Sequence, residues 1–159
     1  QAVRTLFPTA TILRPSLVMA PTGGFRRQIN LLTRFAPFMV LPGYGHTRFQ
    51  PIALPELSQL IADACTKPTL HGQTLPAAGP HIFTFRQLVT QELTHLHRTR
   101  LLIPLPWWLT TLVAHAMALT DYLTRYRLLP AWLLVTPDQV TLLRHDNIVP
   151  LKTKTRKKT

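Results

Sequence analysis

The sequence predicts an α/β protein, rich in helices with a few short strands, and within that class the later part of a nucleotide-binding fold. The apolar run 9–13, stopped abruptly by Arg14 and Pro15, is typical of a buried strand of a parallel sheet. Several helical patterns, each bounded by proline, follow it. Nothing before the run supplies the strand, glycine-rich turn and helix with which such a protein normally opens. We therefore expect the back half of one.

Composition favours a single domain followed by a basic tail. The chain has 159 residues, of which 46% are hydrophobic, enough for one core over residues 1–150. Residues 151–159 hold five basic side chains and no acid, so we expect a solvated, disordered extension. Attraction to an anionic membrane surface is the alternative. Nucleic-acid binding is not favoured, because no aromatic residue interleaves with the basic ones.

Four helix starts can be placed from local signals. Residues 25–36 have a helical apolar period, and Pro55 followed by an acid is a typical first turn. Thr84 with Gln87 predicts a capping box, and Thr136 before Pro137 predicts a last helix. The 20 uncharged residues 101–120 approach the length of a membrane span, but Pro104 and Pro106 favour a strand and then a helix to about residue 126. That helix is amphipathic, and the residues on its apolar side are Leu109, Leu112, Val113, Ala116, Met117, Thr120 and Leu123.

The single cysteine bounds the redox chemistry. Cys65 cannot form an internal disulfide or a CxxC zinc site, which fits a reducing, cytoplasmic compartment. It lies in a helical apolar pattern, so we expect a buried structural thiol.

Catalytic motifs are absent from the sequence. It contains no GxGxxG or GxxxxGK[ST] phosphate loop, no Tyr-x-x-x-Lys pair, and no GxSxG or HExxH motif. The six carboxylates and seven histidines are dispersed along the chain. We therefore predict no catalytic residue and no metal site within this chain.

Six segments, in order, resemble one protein family. They read TILRPSLVMAP (11–21), RFQPIALPEL (48–57), FTFRQLV (83–89), IPLPWWL (103–109), TPDQV (136–140) and RHDNIV (144–149). This combination resembles the extended short-chain dehydrogenase/reductases (SDRs), a Rossmann-type family. It is closest in pattern to the atypical, NAD-dependent epimerase/dehydratase-like branch that contains the NAD(P)H-binding accessory subunit of respiratory complex I. Ala20 and Glu56 depart from the family pattern, which usually has Gly and Asp there.

The resemblance implies two sets of site residues. Arg14, Pro15, Ser16, Leu17 and Val18 would border the nicotinamide end of NAD or NADP. On the substrate side would lie Gly43, Tyr44, Arg48 and Gln50. Two alternatives stay open from the residues themselves: Arg14 as a strand-end charge paired with a carboxylate, and Arg48 as a solvated surface side chain.

The resemblance also implies a division of labour. The dinucleotide-binding half and the Tyr-Lys pair would lie before Gln1, so this chain would be the substrate-side half of an epimerase/dehydratase- or reductase-like protein, not catalytic alone. The alternative is an accessory or assembly subunit of a membrane respiratory complex, peripheral to the inner membrane. It would dock through the helix that begins at Trp107 and Trp108 and through the basic tail. Those two tryptophans can equally be one buried and one exposed packing residue.

Overall fold

A computed structural model describes residues 2–21, 23–124 and 137–149. The helices are α1 (Ala2–Leu6), α2 (Gly24–Phe35), α3 (Leu54–Thr66), α4 (Phe85–His95), α5 (Trp107–Leu123) and α6 (Pro137–Leu143). The strands are β1 (Ile12–Pro15), β2 (Val18–Met19), β3 (Phe38–Pro42), β4 (Arg48–Phe49), β5 (Ile52–Ala53), β6 (Thr74–Ala77), β7 (Phe83–Thr84) and β8 (Leu101–Leu105). Thr136 and the tail 151–159, named in the sequence-based predictions, lie outside the described residues.

The strands are paired mostly in parallel, as the sequence predicts for an α/β fold. β1 pairs with β6 from Ile12↔Thr74 to Pro15↔Ala77, and β3 pairs with β8 from Phe38↔Leu101 to Pro42↔Leu105. β2 pairs in parallel with β5, whereas the β4–β7 pair is antiparallel. Parallel pairing brings the carboxyl ends of β1 and β6 to the same edge, where ligands of such sheets bind.

The main core lies between α2, α4 and β3. It is formed by buried apolar side chains of these three elements: Ile29, Met39, Leu41, Val89 and Leu93. α4 begins with the predicted capping box, in which the Thr84 hydroxyl accepts from the Gln87 N–H and the Gln87 side chain accepts from the Thr84 N–H. At the carboxyl end of α2, the Arg100 side chain donates two hydrogen bonds to the Thr33 carbonyl, which satisfies an acceptor that the last turn leaves unpaired.

Two burial predictions are wrong. β1 was expected to be buried, but Ile12 and Leu13 are half-buried and Arg14 and Pro15 are exposed. Cys65 was expected to be a buried thiol, but it is exposed. The reason is the packing of each element: α3 lies against β2 and β5 without any fully buried residue, and among the described strands β1 pairs only with β6.

The face that α5 buries is not the apolar side that its periodicity indicates. Thr110 and Ala114 are the buried positions, whereas Leu112 and Val113 of that apolar side are 59% and 43% exposed. The rotation of the helix is set by Trp107, whose ring packs on Gly43, and by Thr111, whose hydroxyl accepts from Arg144 at 2.7 Å. Trp107 is half-buried and Trp108 is 68% exposed, which agrees with the packing interpretation of the pair. No helix in the described part of the chain is long and apolar enough to cross a membrane.

Candidate functional site

The loop that follows β1 lies at the carboxyl edge of the β1–β6 pair. The Ser16 N–H donates to the Ala77 carbonyl at 3.0 Å, which continues the parallel ladder one residue past Pro15. Ser16, Leu17 and Val18 are half-buried, whereas the Arg14 and Pro15 side chains reach solvent. No carboxylate in the described ranges pairs with Arg14, so the alternative of a strand-end ion pair finds no support there.

This loop contacts the second set of predicted site residues directly. The Ile52 N–H donates to the Leu17 carbonyl at 2.9 Å, and Val18 pairs with Ile52 in the β2–β5 ladder. The Gln50 N–H approaches the Ser16 hydroxyl oxygen at 3.3 Å. The segment after β4 is therefore attached to the loop after β1, although about 34 residues separate them in the chain.

A third segment closes the cluster. We call residues 143–149 the strap. The Ser16 hydroxyl donates to the Asn147 carbonyl at 2.6 Å, and the Asn147 N–H donates to the Arg48 carbonyl at 2.8 Å. Asn147 also forms a parallel bridge with Phe49, so the strap lies beside β4 as an added strand. We call the cluster of Ser16, Arg48, Gln50, Gly79 and Asn147 the junction.

Gln50 uses both ends of its amide inside the junction. Its Nε2 donates to the Gly79 carbonyl at 2.7 Å, and its Oε1 accepts from the Val149 N–H at 3.0 Å. Gly79 is buried, and its N–H donates to the Pro51 carbonyl at 3.1 Å. Gln50 thus joins the β6 end to the strap through one amide N–H and its amide oxygen, which is a positioning role.

Arg48 is held by Asp146. Its Nε and Nη2 donate to Asp146 Oδ2 at 2.8 and 2.7 Å, and its backbone N–H donates to Oδ1 at 2.8 Å. These donors, the backbone one first, hold the pKa of the Asp146 carboxyl below its ordinary value of 3.8. The Arg48 side chain is 54% exposed, so the surface interpretation of this residue is right in part, but its guanidinium already binds an anion.

Gly43 and Tyr44 lie in a tight turn three to five residues before β4. Gly43, Tyr44 and Gly45 have φ of 55°, 61° and 75°, three successive left-handed residues. A Cβ on Gly43 would lie 2.1 Å from the Trp107 ring, so only glycine permits this packing. Tyr44 accepts a strained conformation for a non-glycine residue and is 48% exposed, with its ring 6.2 Å from that of His46.

The chemistry available at the junction is positioning and hydrogen bonding. No group of three or more metal-ligating side chains occurs in the described ranges, and the sequence holds no glycine-rich phosphate loop. That the loop after β1 borders the nicotinamide end of a dinucleotide stays a prediction from the resemblance. Asp146, Asn147 and Gly79 were missed as contributors. The one signal for Asp146 is the acid in RHDNIV, which is complementary in charge to the Arg in RFQP. Asn147 and Gly79 contribute backbone groups, which a side-chain pattern does not reveal.

Comparison with known proteins extends these observations. No protein-family model matches the chain. It is 29% identical over 124 residues to NADH dehydrogenase (ubiquinone) 1 alpha subcomplex subunit 9, mitochondrial, of Rattus norvegicus, covering 76% of this chain and 32% of the relative. The corresponding protein of Mus musculus is 26% identical over 152 residues, 93% of this chain and 37% of the relative. The chain therefore spans about a third of the length of these curated relatives.

Solved structures show the fold. A double mutant of dTDP-glucose 4,6-dehydratase from Streptomyces venezuelae, solved with NAD, matches with a TM-score of 0.54 and 15% identity over 66% of this chain and 34% of its own. Human epimerase family protein SDR39U1, solved with NADPH, matches with a TM-score of 0.51 and 20% identity over 86% of this chain and 43% of its own. The fold is that of part of an SDR epimerase, and the resemblance to the complex I accessory branch is confirmed.

Proposed function

We propose that this chain is the substrate-side half of an NAD(P)-binding epimerase/dehydratase- or reductase-like protein. It is similar to about a third of a complex I accessory subunit and is folded like part of an SDR epimerase. It is not catalytic alone. The dinucleotide-binding half and the Tyr-Lys pair would be supplied by a further, N-terminal segment of the same polypeptide.

One observation carries this proposal. The loop after β1 and the segment that holds Arg48 and Gln50, assigned by resemblance to the cofactor and substrate sides, adjoin: Ser16 accepts from the Gln50 N–H, and Leu17 accepts from the Ile52 N–H just after it. Two sides of one site have to adjoin, since a cofactor and its substrate react in contact. Their adjacency at the carboxyl edge of parallel strands is the arrangement that ligand binding in open α/β sheets requires.

The cofactor proposal is confined to what this chain could contribute. When bound, NAD or NADP would supply hydride transfer. Pro15, Ser16, Leu17 and Val18 would form one wall beside the nicotinamide, and the Ile52 N–H would hold the Leu17 carbonyl in place. Arg14, exposed at the end of β1, is the one cation of this loop. Both structural relatives named above were solved with a nicotinamide cofactor, which supports the proposal.

Titration with NADH tests the proposal. The 159-residue chain alone should show no saturable fluorescence change below about 1 mM, because one wall supplies little binding free energy. A polypeptide that also carries the upstream dinucleotide half should bind NADH. In that polypeptide Ser16→Ala should weaken binding, whereas Ser58→Ala on α3, whose hydroxyl only donates to Leu54, should not. Micromolar binding by the chain alone, or none by the longer polypeptide, would contradict the proposal.

A second function is favoured by the outer face of α5. Trp108, Leu112, Leu119 and Tyr122 recur at helical spacing and are 68%, 59%, 58% and 72% exposed. With the basic residues of 151–159, this stripe suits a monotopic helix at an anionic membrane surface. The chain would then be an accessory subunit docked on a respiratory complex, peripheral to the inner membrane. Mitochondrial complex I subunits among the relatives support this alternative.

Vesicle sedimentation separates the two functions. On vesicles with phosphatidylserine at low salt, the chain should be enriched, and Leu112→Ser with Leu119→Ser should reduce binding by at least about fivefold. Leu142→Ser on α6 is the matched control, because Leu142 is 75% exposed but lies off the stripe. Absence of enrichment, or an equal loss in the control, would remove the membrane function and leave the first proposal untouched.

A further inference from the structure

The strap lies over the junction through contacts spread along its length. The Thr47 hydroxyl donates to the Leu143 carbonyl at 2.6 Å, and the Ser16 hydroxyl donates to the Asn147 carbonyl at 2.6 Å. The Val149 N–H donates to Gln50 Oε1 at 3.0 Å. These bonds fix the strap on both sides of Asp146, so the position of that carboxylate does not depend on its ion pair alone.

Asp146 meets the one guanidinium among the predicted substrate-side residues. Two N–H groups of Arg48 donate to a single carboxylate oxygen, and the Arg48 backbone N–H donates to the other. A guanidinium of this kind is the side chain best suited to bind a phosphate or carboxylate of a ligand. In this chain the place of such an anion is taken by the protein's own carboxylate.

We infer that Asp146 is an internal anion that occupies Arg48, and that the substrate site therefore excludes a phosphate or carboxylate at this position and accepts an uncharged group there. The inference rests on the proposed function in taking this region as a substrate site, whereas the occupancy of Arg48 by Asp146 is a property of the chain itself. It makes Asp146 a specificity-determining residue, selecting against anionic substrates.

The size of these interactions indicates that Asp146 excludes a ligand anion from Arg48 and does not merely compete with it. An exposed ion pair contributes only about 0.2–1 kcal/mol, so the pair alone would yield to a strongly bound anion. The strap, however, keeps Asp146 beside Arg48 when the pair opens, because the bonds of Leu143 before it and of Asn147 after it remain. An incoming anion then meets a negative charge at contact distance as well as a competitor of high effective concentration.

Calorimetric titration of the full 159-residue chain with inorganic pyrophosphate tests the inference. Asp146→Ala should bind at least about fivefold more tightly than the unsubstituted chain, and the double change Asp146→Ala with Arg48→Gln should lose that gain. Asp63→Ala is the matched control. Its carboxylate pairs with Lys67 at 2.8 Å, and the two side chains are 29% and 57% exposed. The side chains of Asp146 and Arg48 are similarly exposed, at 35% and 54%. Weak binding by the basic tail is common to every variant.

Two results of these titrations would contradict the inference. No gain in Asp146→Ala beyond that of Asp63→Ala, or a loss of pyrophosphate binding in Arg48→Gln alone, would overturn the inference. Should Asp146→Ala fail to fold, the Arg48 Nε–H resonance of the unsubstituted chain decides: it should not move on adding pyrophosphate, and a saturable shift would contradict the inference. These readouts require no NADH, so they can fail while the proposed function stands, and the reverse.

Discussion

The junction and the outer helices of this molecule are built in opposite ways. In the junction, side chains and backbone groups from four separate segments use one another's donors and acceptors, and Gly79 is packed without room for a Cβ. On α3 no residue is buried, and on α5 the apolar stripe is exposed. Satisfied polar contacts specify a unique arrangement, whereas an exposed apolar face requires a partner. The comparison therefore supports the two proposals, a site in the first region and a docking surface in the second.

The largest expected effect is a clash inside the junction. In Gly79→Ala the added Cβ would lie 2.1 Å from the Pro51 carbonyl oxygen, a backbone atom that cannot move aside. We expect a loss of about 3 kcal/mol in the free energy of unfolding, measured by urea denaturation. Gly23→Ala is the control, because its nearest neighbour would be 3.9 Å away. Equal stability of the two variants would show that the junction is not tightly packed.

The next largest loss of stability is expected when the link between β6 and the strap is removed. Gln50→Leu keeps the volume but leaves the Gly79 carbonyl and the Val149 N–H without their side-chain partner. Loss of two hydrogen bonds should reduce the free energy of unfolding by about 2 kcal/mol. Gln59→Leu on α3, where the amide only reaches Asp63 on the surface, should change it by less than about 0.5 kcal/mol. A reversed order of the two effects would contradict the contrast drawn between the regions.

A smaller effect is expected at the start of α4. Thr84→Ala removes the hydroxyl that accepts from the Gln87 N–H, and capping substitutions of this kind cost about 1 kcal/mol. Thr90→Ala, in the same helix, removes only a hydroxyl that donates back to Arg86. Thermal unfolding followed by circular dichroism should therefore separate the two variants. Identical midpoints would indicate that the capping box does not form in solution.

The smallest effect is a dependence on pH. Because the pKa of Asp146 lies below its ordinary value of 3.8 in the folded chain, the unfolded chain binds this proton more readily. The stabilisation is complete above that value and is lost as the pH falls below it towards the folded pKa. Asp146→Asn should remove under about 1 kcal/mol at neutral pH and flatten this part of the pH profile. A pH profile of Asp146→Asn that matches that of the unsubstituted chain throughout the acidic range would contradict the ion pair.

Local signals in the sequence predicted the elements well and their environment less well. The capping box at Thr84, the helix after Pro55 and the parallel strands all follow from residue types within a few positions. The rotation of α5 does not, because it depends on how Trp107 meets Gly43, which is about 64 residues away in the chain. An apolar stripe in a sequence indicates which side of a helix is apolar, but it does not indicate which element or partner covers that side.

The contacts among the candidate site residues could be predicted in part, whereas their role in binding stays a prediction. Ser16, Arg48 and Gln50 were identified by resemblance; the structure places Ser16 beside Gln50, and the strap contacts all three. That Arg48 and Gln50 already have internal partners could not be predicted, since Asp146 and Val149 are 98 and 99 residues from them. Pairings over such distances depend on the whole topology, which local periodicity does not encode.

The coding sequence immediately upstream of the Gln1 codon, read from the transcript, tests the central claim most directly. The account predicts an open reading frame that encodes a strand, a GxGxxG turn with its helix, and a Tyr-x-x-x-Lys pair, in frame with this chain. Such a result would make the junction the substrate side of an NAD(P)-linked protein. A stop codon or an unrelated sequence there would contradict the claim and leave the docking function of α5 as the account of this chain.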